Sequence, residues 1–539
     1  MQRFLQLIER VGNRLPDPTT LFAIGTLLVL LISHVAVVFD WRVVERRPVE
    51  VEVEIDGRQQ VMVQWEETGE SHSARSLLTR DGIFWALANA REHFLQFPPL
   101  GIVLVGMLGI GVAERTGFIS ALLRLSMQRL PPHLLTPVTI LLGILSTIAS
   151  DAGYIVLPPL AAMVYLSFGR SPLAGIAAAF AGVSAGFNAN LMITALDPML
   201  AGLSQEGARV IDPDYTVSPV ANWFFMIAST FVLTLAGWWT SDRLVEPAIR
   251  KSHSGDSGAE PLQVQGAEPI TPSETRGVIY ALLALAALFA LLLAAIFIPG
   301  APLHGVVGEH LIADIREPGA TADRSRWLVI IVPLLFLGML TPGLAYGVHQ
   351  GVIKNDKDLA KLFSESIAGI APVIVLAFFA GQFIYCFAHS GVAVMMAEAG
   401  GQALARAEMP IPMLLVTFIF MVGVFNLFIG SMSGKYAILA PIFVPMFMMV
   451  GISPELTQAA YRIGDSTTNI ITPLNAYLII VISFMQRFYP KGGLGTLVSL
   501  MLPYTIVFTI VWSIMLVIWV YFQIPLSYGT EGPLFYHFQ

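Results

Sequence analysis

Five ionisable side chains stand in or beside apolar stretches of this chain: Asp151, Asp197, Lys435, Arg462 and Asp465. A charge at membrane depth costs ~2.5–3.5 kcal/mol on insertion scales, so such groups are usually paired and functional. Arg462 and Asp465 lie three apart on one helix face, where they can pair. In the functional reading Arg462 holds a carboxylate while Asp465 takes a proton or cation. The plainer reading is a structural ion pair. Asp197 is a candidate proton carrier, or simply an aspartate at a helix end. Hydroxyls and amides cluster with these charges: Ser150, Ser184, Asn188, Asn190, Ser431, Ser433, Thr467, Thr468 and Asn469. Helix capping would account for any one of them. As a set they suit a binding site for a small charged solute. Tyr154 and Tyr436 lie beside the same interruptions and offer either ring faces to an aromatic ligand or packing to the core.

The elements that must position these residues are membrane helices. The chain has 539 residues, of which 55% are hydrophobic and 12% charged. Ordinary soluble domains are about a quarter charged, so a soluble enzyme or a disordered chain is excluded in favour of an all-α polytopic membrane protein. A net charge of -7 without long basic runs argues against nucleic acid as a partner. The single cysteine, Cys386, permits no intrachain disulfide. No metal or cofactor is expected.

Residues 21–39 are long enough to span, and no small-residue cleavage pattern follows them. Residues 49–65 alternate apolar and polar around Asp56-Gly57, the pattern of a β-hairpin. Charge-free runs follow at 98–113, 219–241, 277–299, 327–349, 367–389 and 496–523. Trp223, Trp238 and Trp239 mark the two interfaces of the 219–241 run. Two regions are irregular. Runs 134–150 and 154–168 are joined by a polar knot, as are 411–429 and 436–450. Each pair is followed by a Gly-x-Ser-Pro turn, at Gly169 and at Gly451, and then by a long segment interrupted by small polar residues.

These regions read as copies. At an offset of 282 residues Tyr154 meets Tyr436, Pro159 meets Pro441, Gly169 meets Gly451, Gly182 meets Gly464 and Ser184 meets Ser466. At an offset of 274, Pro98 meets Pro372 and Gly117 meets Gly391. Paired interrupted segments in two halves point to a transporter site. Residues 1–97 then form a first span and external loop, and 98–241 a first repeat with hairpin 134–168 and broken helix 172–203. Residues 242–366 connect it to a second repeat, 367–523, with hairpin 411–450 and broken helix 454–486; 524–539 are a tail. With the N-terminus cytoplasmic, the short basic segments fall on opposite sides of corresponding elements. That pattern requires about nine crossings plus two re-entrant hairpins, related as an inverted repeat.

The stretch Gly430-Ser431-Met432-Ser433-Gly434-Lys435-Tyr436, with Ala459 to Pro473 after it, resembles the AbgT family of p-aminobenzoyl-glutamate transporters. Asn188-Ala189-Asn190-Leu191 with Asp197 resembles the family's first-half motif more loosely. The resemblance implies a dimeric, multi-pass bacterial inner-membrane protein. It implies import of p-aminobenzoyl-glutamate or proton-linked export of sulfonamide antimetabolites. It places functional positions on Asp197, Ser433, Tyr436, Arg462 and Asp465, to which Asn188, Asn190 and Asn469 are added here as substrate-binding candidates. The family usually has Ala-Lys-Trp where this chain has Gly434-Lys435-Tyr436, a smaller ring face. The rival reading is a sodium-coupled carboxylate carrier of similar architecture. A pump is disfavoured because Gly430–Lys435 is one residue short of a phosphate-binding loop. An intramembrane protease would need an Asp197–Asp465 dyad or a Ser433 nucleophile, without the Gly-x-Gly-Asp run or a histidine at the breaks.

Overall fold

The computed structural model of the chain describes residues 16–55, 58–128, 131–149, 152–252, 270–312, 324–475, 477–529 and 531–537. Ser150, Asp151 and the Asp56-Gly57 turn lie outside them. Seven helices are long and apolar enough to cross a membrane among the described residues: Pro18–Val38, Trp223–Lys251, Pro272–Phe297, Ile331–His349, Ala371–His389, Met432–Met449 and Leu494–Tyr521. A pair bent by 59°, Val103–Arg115 and Phe118–Met127, makes up to eight. The molecule is an integral membrane protein.

The nine expected crossings are not recovered by length alone, for a physical reason. Each long interrupted segment is really two short helices. The first is Pro172–Phe180, which continues as a π-helical turn to Ala185, then a break, then Leu196–Ala208. The second is Pro454–Thr467, a break, then Leu478–Phe488. No piece approaches the ~20 residues a straight crossing needs. Conversely Met432–Met449, expected as a hairpin arm, is long enough to count by itself.

The two halves share several local devices at the positions matched in sequence. Gly169 and Gly451, in the matched turns, both take left-handed φ, +68° and +81°. Only a residue without a Cβ does so at no cost. Pro172 and Pro454 then open helices at the position where a missing N–H costs nothing. Small residues let the first arm of each hairpin touch the broken helix backbone to backbone. A Cβ added at Gly182 would lie 2.5 Å from the Ile140 carbonyl oxygen, and one at Gly464 would lie 2.4 Å from that of Ile419.

Pro172–Phe180 and Pro454–Thr467 form the centre of the molecule, buried along almost their whole length. Peripheral helices instead expose apolar side chains, as Pro272–Phe297 does with Phe289 and Leu291, the arrangement that lipid requires. The ribbon is longer than residues 49–65. Strand β1 (Arg42–Ile55) pairs antiparallel with β2 (Arg58–Ser73), from Arg42 opposite Ser73 to Ile55 opposite Arg58. The base of the ribbon rests on the helix Val392–Arg406, where Gln402 Nε2 donates to Val44 O at 2.8 Å.

Candidate functional site

Four irregular segments meet at the centre: the helix ends near Thr147 and Ile429, and the breaks at 186–195 and 468–475. Their polar groups must find partners away from water, and several supply one another. Asn190 Nδ2 donates to Thr147 Oγ1 at 3.1 Å. Thr472 Oγ1 donates to Leu427 O at 3.2 Å. Asn475 Nδ2 donates to Ser184 Oγ at 3.1 Å, joining the two halves.

Two buried ion pairs hold the centre. Lys435 Nζ lies 2.7 Å from Asp465 Oδ1, both side chains 1% exposed. The ammonium also donates to Asn426 Oδ1, and the second carboxylate oxygen accepts from Asn188 Nδ2 at 3.0 Å. Arg462 Nη2 lies 2.7 Å from Asp197 Oδ1. Asp197 Oδ2 accepts from the backbone N–H and the hydroxyl of Thr194, at 2.6 and 2.8 Å. The expected pairing of Arg462 with Asp465 is therefore not formed. Three residues apart on one helix, the two side chains diverge. Asp465 turns to the lysine of the second hairpin, and Arg462 to the aspartate just beyond the first break. An ion pair between elements satisfies both charges and fastens two broken helices together.

Two cavities flank this centre. The larger, about 870 Å³, is bordered by Ser433, Asn469, Thr147, Tyr154, Asn475 and Tyr477, and reaches Asp17, Glu114 and Arg115. The smaller, about 10 Å³, is bordered by Asn188, Asn190, Asp197 and Arg462. Phe187, Thr194 and Leu196 border both and form the wall between them. Two buried atoms of the smaller cavity's residues have no hydrogen-bond partner, Arg462 Nε and Asn188 Oδ1. Such an orphaned donor and acceptor leave room for a ligand atom or a water.

Of the sequence candidates, Ser433 and Asn469 thus border the large cavity, and Asn188, Asn190, Asp197 and Arg462 the small one. Asp465 sits behind them. Tyr436 borders neither: it is fully buried, its hydroxyl 2.6 Å from Ser204 Oγ and its ring against Tyr461. The aromatic surface of the cavity includes instead Tyr154 and Tyr477, stacked with ring centroids 4.2 Å apart, beside Phe187 and Phe428. Sequence reasoning passed over Asn426 and Tyr477. The signal for Asn426 is a lone amide in the apolar run 411–429. Tyr477 carries no comparable signal, since aromatics are common at the ends of membrane helices.

A helical membrane protein whose interrupted segments converge on a buried, charged centre beside a large cavity has the build of a transporter. The chain belongs to the AbgT putative transporter family, whose model matches residues 3–536. It is 33% identical over 524 residues to the p-aminobenzoyl-glutamate transport protein of Escherichia coli (strain K12), covering 97% of this chain and 95% of that one. Two solved structures share the fold. The YdaH transporter of Alcanivorax borkumensis is 37% identical, with a TM-score of 0.82 over 95% of this chain and 100% of its own. MtrF of Neisseria gonorrhoeae, which illuminates a class of antimetabolite efflux pumps, is 39% identical, with a TM-score of 0.83 over 98% of this chain and 100% of its own.

Proposed function

We propose that this transporter is a proton-coupled secondary carrier, not an enzyme, in the bacterial inner membrane. It moves p-aminobenzoyl-glutamate, exports sulfonamide-type antimetabolites, or both. The observation that carries this reading is the Arg462–Asp197 pair on the small cavity, one wall away from the large one. While Asp197 is ionised it holds the guanidinium. Protonation of Asp197 removes that hold, and Arg462 becomes available to a carboxylate that passes from the large cavity through the wall of Phe187, Thr194 and Leu196 into the small one, a group for which its fork of N–H donors is suited. Substrate carboxylate and proton then bind together and move as a symport, which an inward proton gradient drives as uptake; export of a sulfonamide, which brings no carboxylate, runs as exchange against the proton on Asp197. Stacked Tyr154 and Tyr477 supply the surface for the aminobenzoyl ring. Lys435 and Asp465 hold the second hairpin against the broken helix and form the second titratable pair of the coupling route.

In this reading the chain crosses nine times, with the two hairpins entering and leaving on one side and the halves related as an inverted repeat. The N-terminus is cytoplasmic, and two copies form a homodimer. The large cavity, which reaches Asp17 and Arg115, then opens inward. One observation favours sodium as the coupling ion instead: the unpartnered Asn188 Oδ1 beside Asp197, two oxygens at one small cavity. Flux of p-aminobenzoyl-glutamate in proteoliposomes separates the two. A pH gradient in sodium-free buffer should drive uptake, and Asp197→Asn should abolish that dependence. Uptake that needs sodium, or full proton coupling in Asp197→Asn with Asp465→Asn, would refute the proton assignment.

A further inference from the structure

Away from the transport centre, three side chains from three segments converge where the ribbon meets the helix Val392–Arg406. They are Glu45 on β1, His72 on β2 and Glu398 on the helix, and one potential ligand atom of each lies within 4.8 Å of the others. Glu45 and Glu398 are buried, 7% and 3% exposed, and His72 is partly so. His72 Nε2 is 4.0 Å from Glu45 Oε2. Two bonds of ~2.0–2.2 Å at a tetrahedral angle, as zinc makes to nitrogen and carboxylate oxygen, set ligand atoms about 3.4 Å apart, so binding would draw these two atoms together by about half an ångström. Thr68 Oγ1 donates to Glu45 Oε2 at 3.1 Å, the kind of outer contact that orients a ligating carboxylate.

An independent observation points to a missing partner. Glu398 Oε2 is buried and has no hydrogen-bond partner. An unpaired buried carboxylate oxygen is costly, and a cation removes that cost. The three residues border a cavity of about 280 Å³ together with Asp212, Met449 and Tyr536, so acidic groups outnumber basic ones there. A proton is the competing occupant. Burial pushes the Glu398 carboxyl above its ordinary range, and Glu45 beside it pushes the same way, against the Arg46 backbone N–H, Gln402 and His72.

We propose that Glu45, His72 and Glu398 bind a divalent first-row transition cation, zinc by the balance of nitrogen and oxygen ligands, which fastens the ribbon to the helix Val392–Arg406. The site shares no residue with the transport centre. It touches it mechanically, because Met449 ends the helix that carries Lys435, and Asp212 follows the helix Leu196–Ala208 that carries Asp197.

The test uses tag-free full-length protein in detergent, equilibrated with zinc sulfate and dialysed. Bound zinc is measured by mass spectrometry of the element, and thermal unfolding is followed with zinc or a chelator. Wild type should carry one zinc per chain and melt higher with zinc than with chelator. Glu398→Gln and His72→Ala should each lower bound zinc by at least about tenfold and erase the zinc-dependent shift. Asp197→Asn should keep both. If Glu398→Gln fails to fold, the more exposed His72→Ala decides. Wild-type zinc content in His72→Ala, or wild type that neither retains zinc nor shifts, would overturn the proposal and leave a shared proton as the occupant.

Discussion

The two broken helices occupy matched places, yet their chemistry is opposite. Pro172–Phe180 is built of alanine, glycine and larger apolar residues and carries no charge, whereas Pro454–Thr467 carries Glu455, Arg462 and Asp465, all buried. The backbone devices are common to both: the left-handed turn glycine, the Ser-Pro helix start, and the glycine against the first hairpin arm. The charges are not. The second half contributes Lys435, Arg462 and Asp465, and the first answers with Asp197 and the amides Asn188 and Asn190. The turns differ too. Arg170 in the first turn pairs with Asp242 and Glu246, at 2.6 and 2.5 Å. The second turn is covered by the C-terminal tail, through Ser453 Oγ donating to Pro533 O at 2.7 Å and Tyr536 N donating to Gly451 O at 2.9 Å. Packing geometry can be duplicated because backbone contact is indifferent to which half it serves. The ion pairs at the centre need a cation opposite each carboxylate, and here the two segments differ.

The asymmetry can be broken most severely at the Lys435–Asp465 pair. Lys435→Ala leaves Asp465 buried with an amide and a distant hydroxyl, and should destabilise the protein by ~3–5 kcal/mol. Replacing both, as Lys435→Met with Asp465→Leu, should recover most of that stability without recovering transport. Thermal unfolding in detergent, paired with flux, reads both. Recovery of flux in the double variant would show that the pair is structural.

Arg462→Ala comes next. It should weaken p-aminobenzoyl-glutamate by ~1.5–3 kcal/mol, the worth of a hydrogen bond to a charged group, and a sulfonamide by much less, since sulfonamides lack the carboxylates. Binding titrations of both ligands compare them. Equal losses would mean that the arginine serves only to hold Asp197.

The shared scaffold makes a complementary prediction. Gly182→Ala and Gly464→Ala each drive a Cβ into a backbone carbonyl, at 2.5 and 2.4 Å, and should cost ~1–3 kcal/mol apiece. Similar melting shifts in the two variants support equivalent packing in the halves. A shift in only one would restrict the likeness to sequence.

The smallest effect concerns the aromatic wall. Tyr154→Ala and Tyr477→Ala should each weaken both ligands by ~0.5–1.5 kcal/mol, whereas Tyr436→Phe should leave ligand affinity unchanged, because its hydroxyl serves Ser204 and not the cavity. A loss of affinity in Tyr436→Phe larger than in Tyr477→Ala would return the ligand to the second hairpin.

Composition and the spacing of apolar runs determined that this is a helical membrane protein, because lipid demands long charge-free helices whatever their arrangement. The turn motifs determined where hairpins end and helices break, since glycine at positive φ and proline at a helix start are local requirements. Membrane-depth charges and amides marked most of the centre for the same reason: each needs a partner wherever it lies. Which partner each takes was decided only by the tertiary structure. Helical spacing allowed Arg462 to meet Asp465, but Asp197 and Lys435, hundreds of residues and tens of residues away along the chain, come closer once the broken helices pack. Likewise Tyr436 and Tyr154 are matched in sequence, and only packing turns one into the core and the other, with Tyr477, toward the cavity. Local rules act over one helical turn, whereas partner choice is settled by contacts between elements distant along the chain.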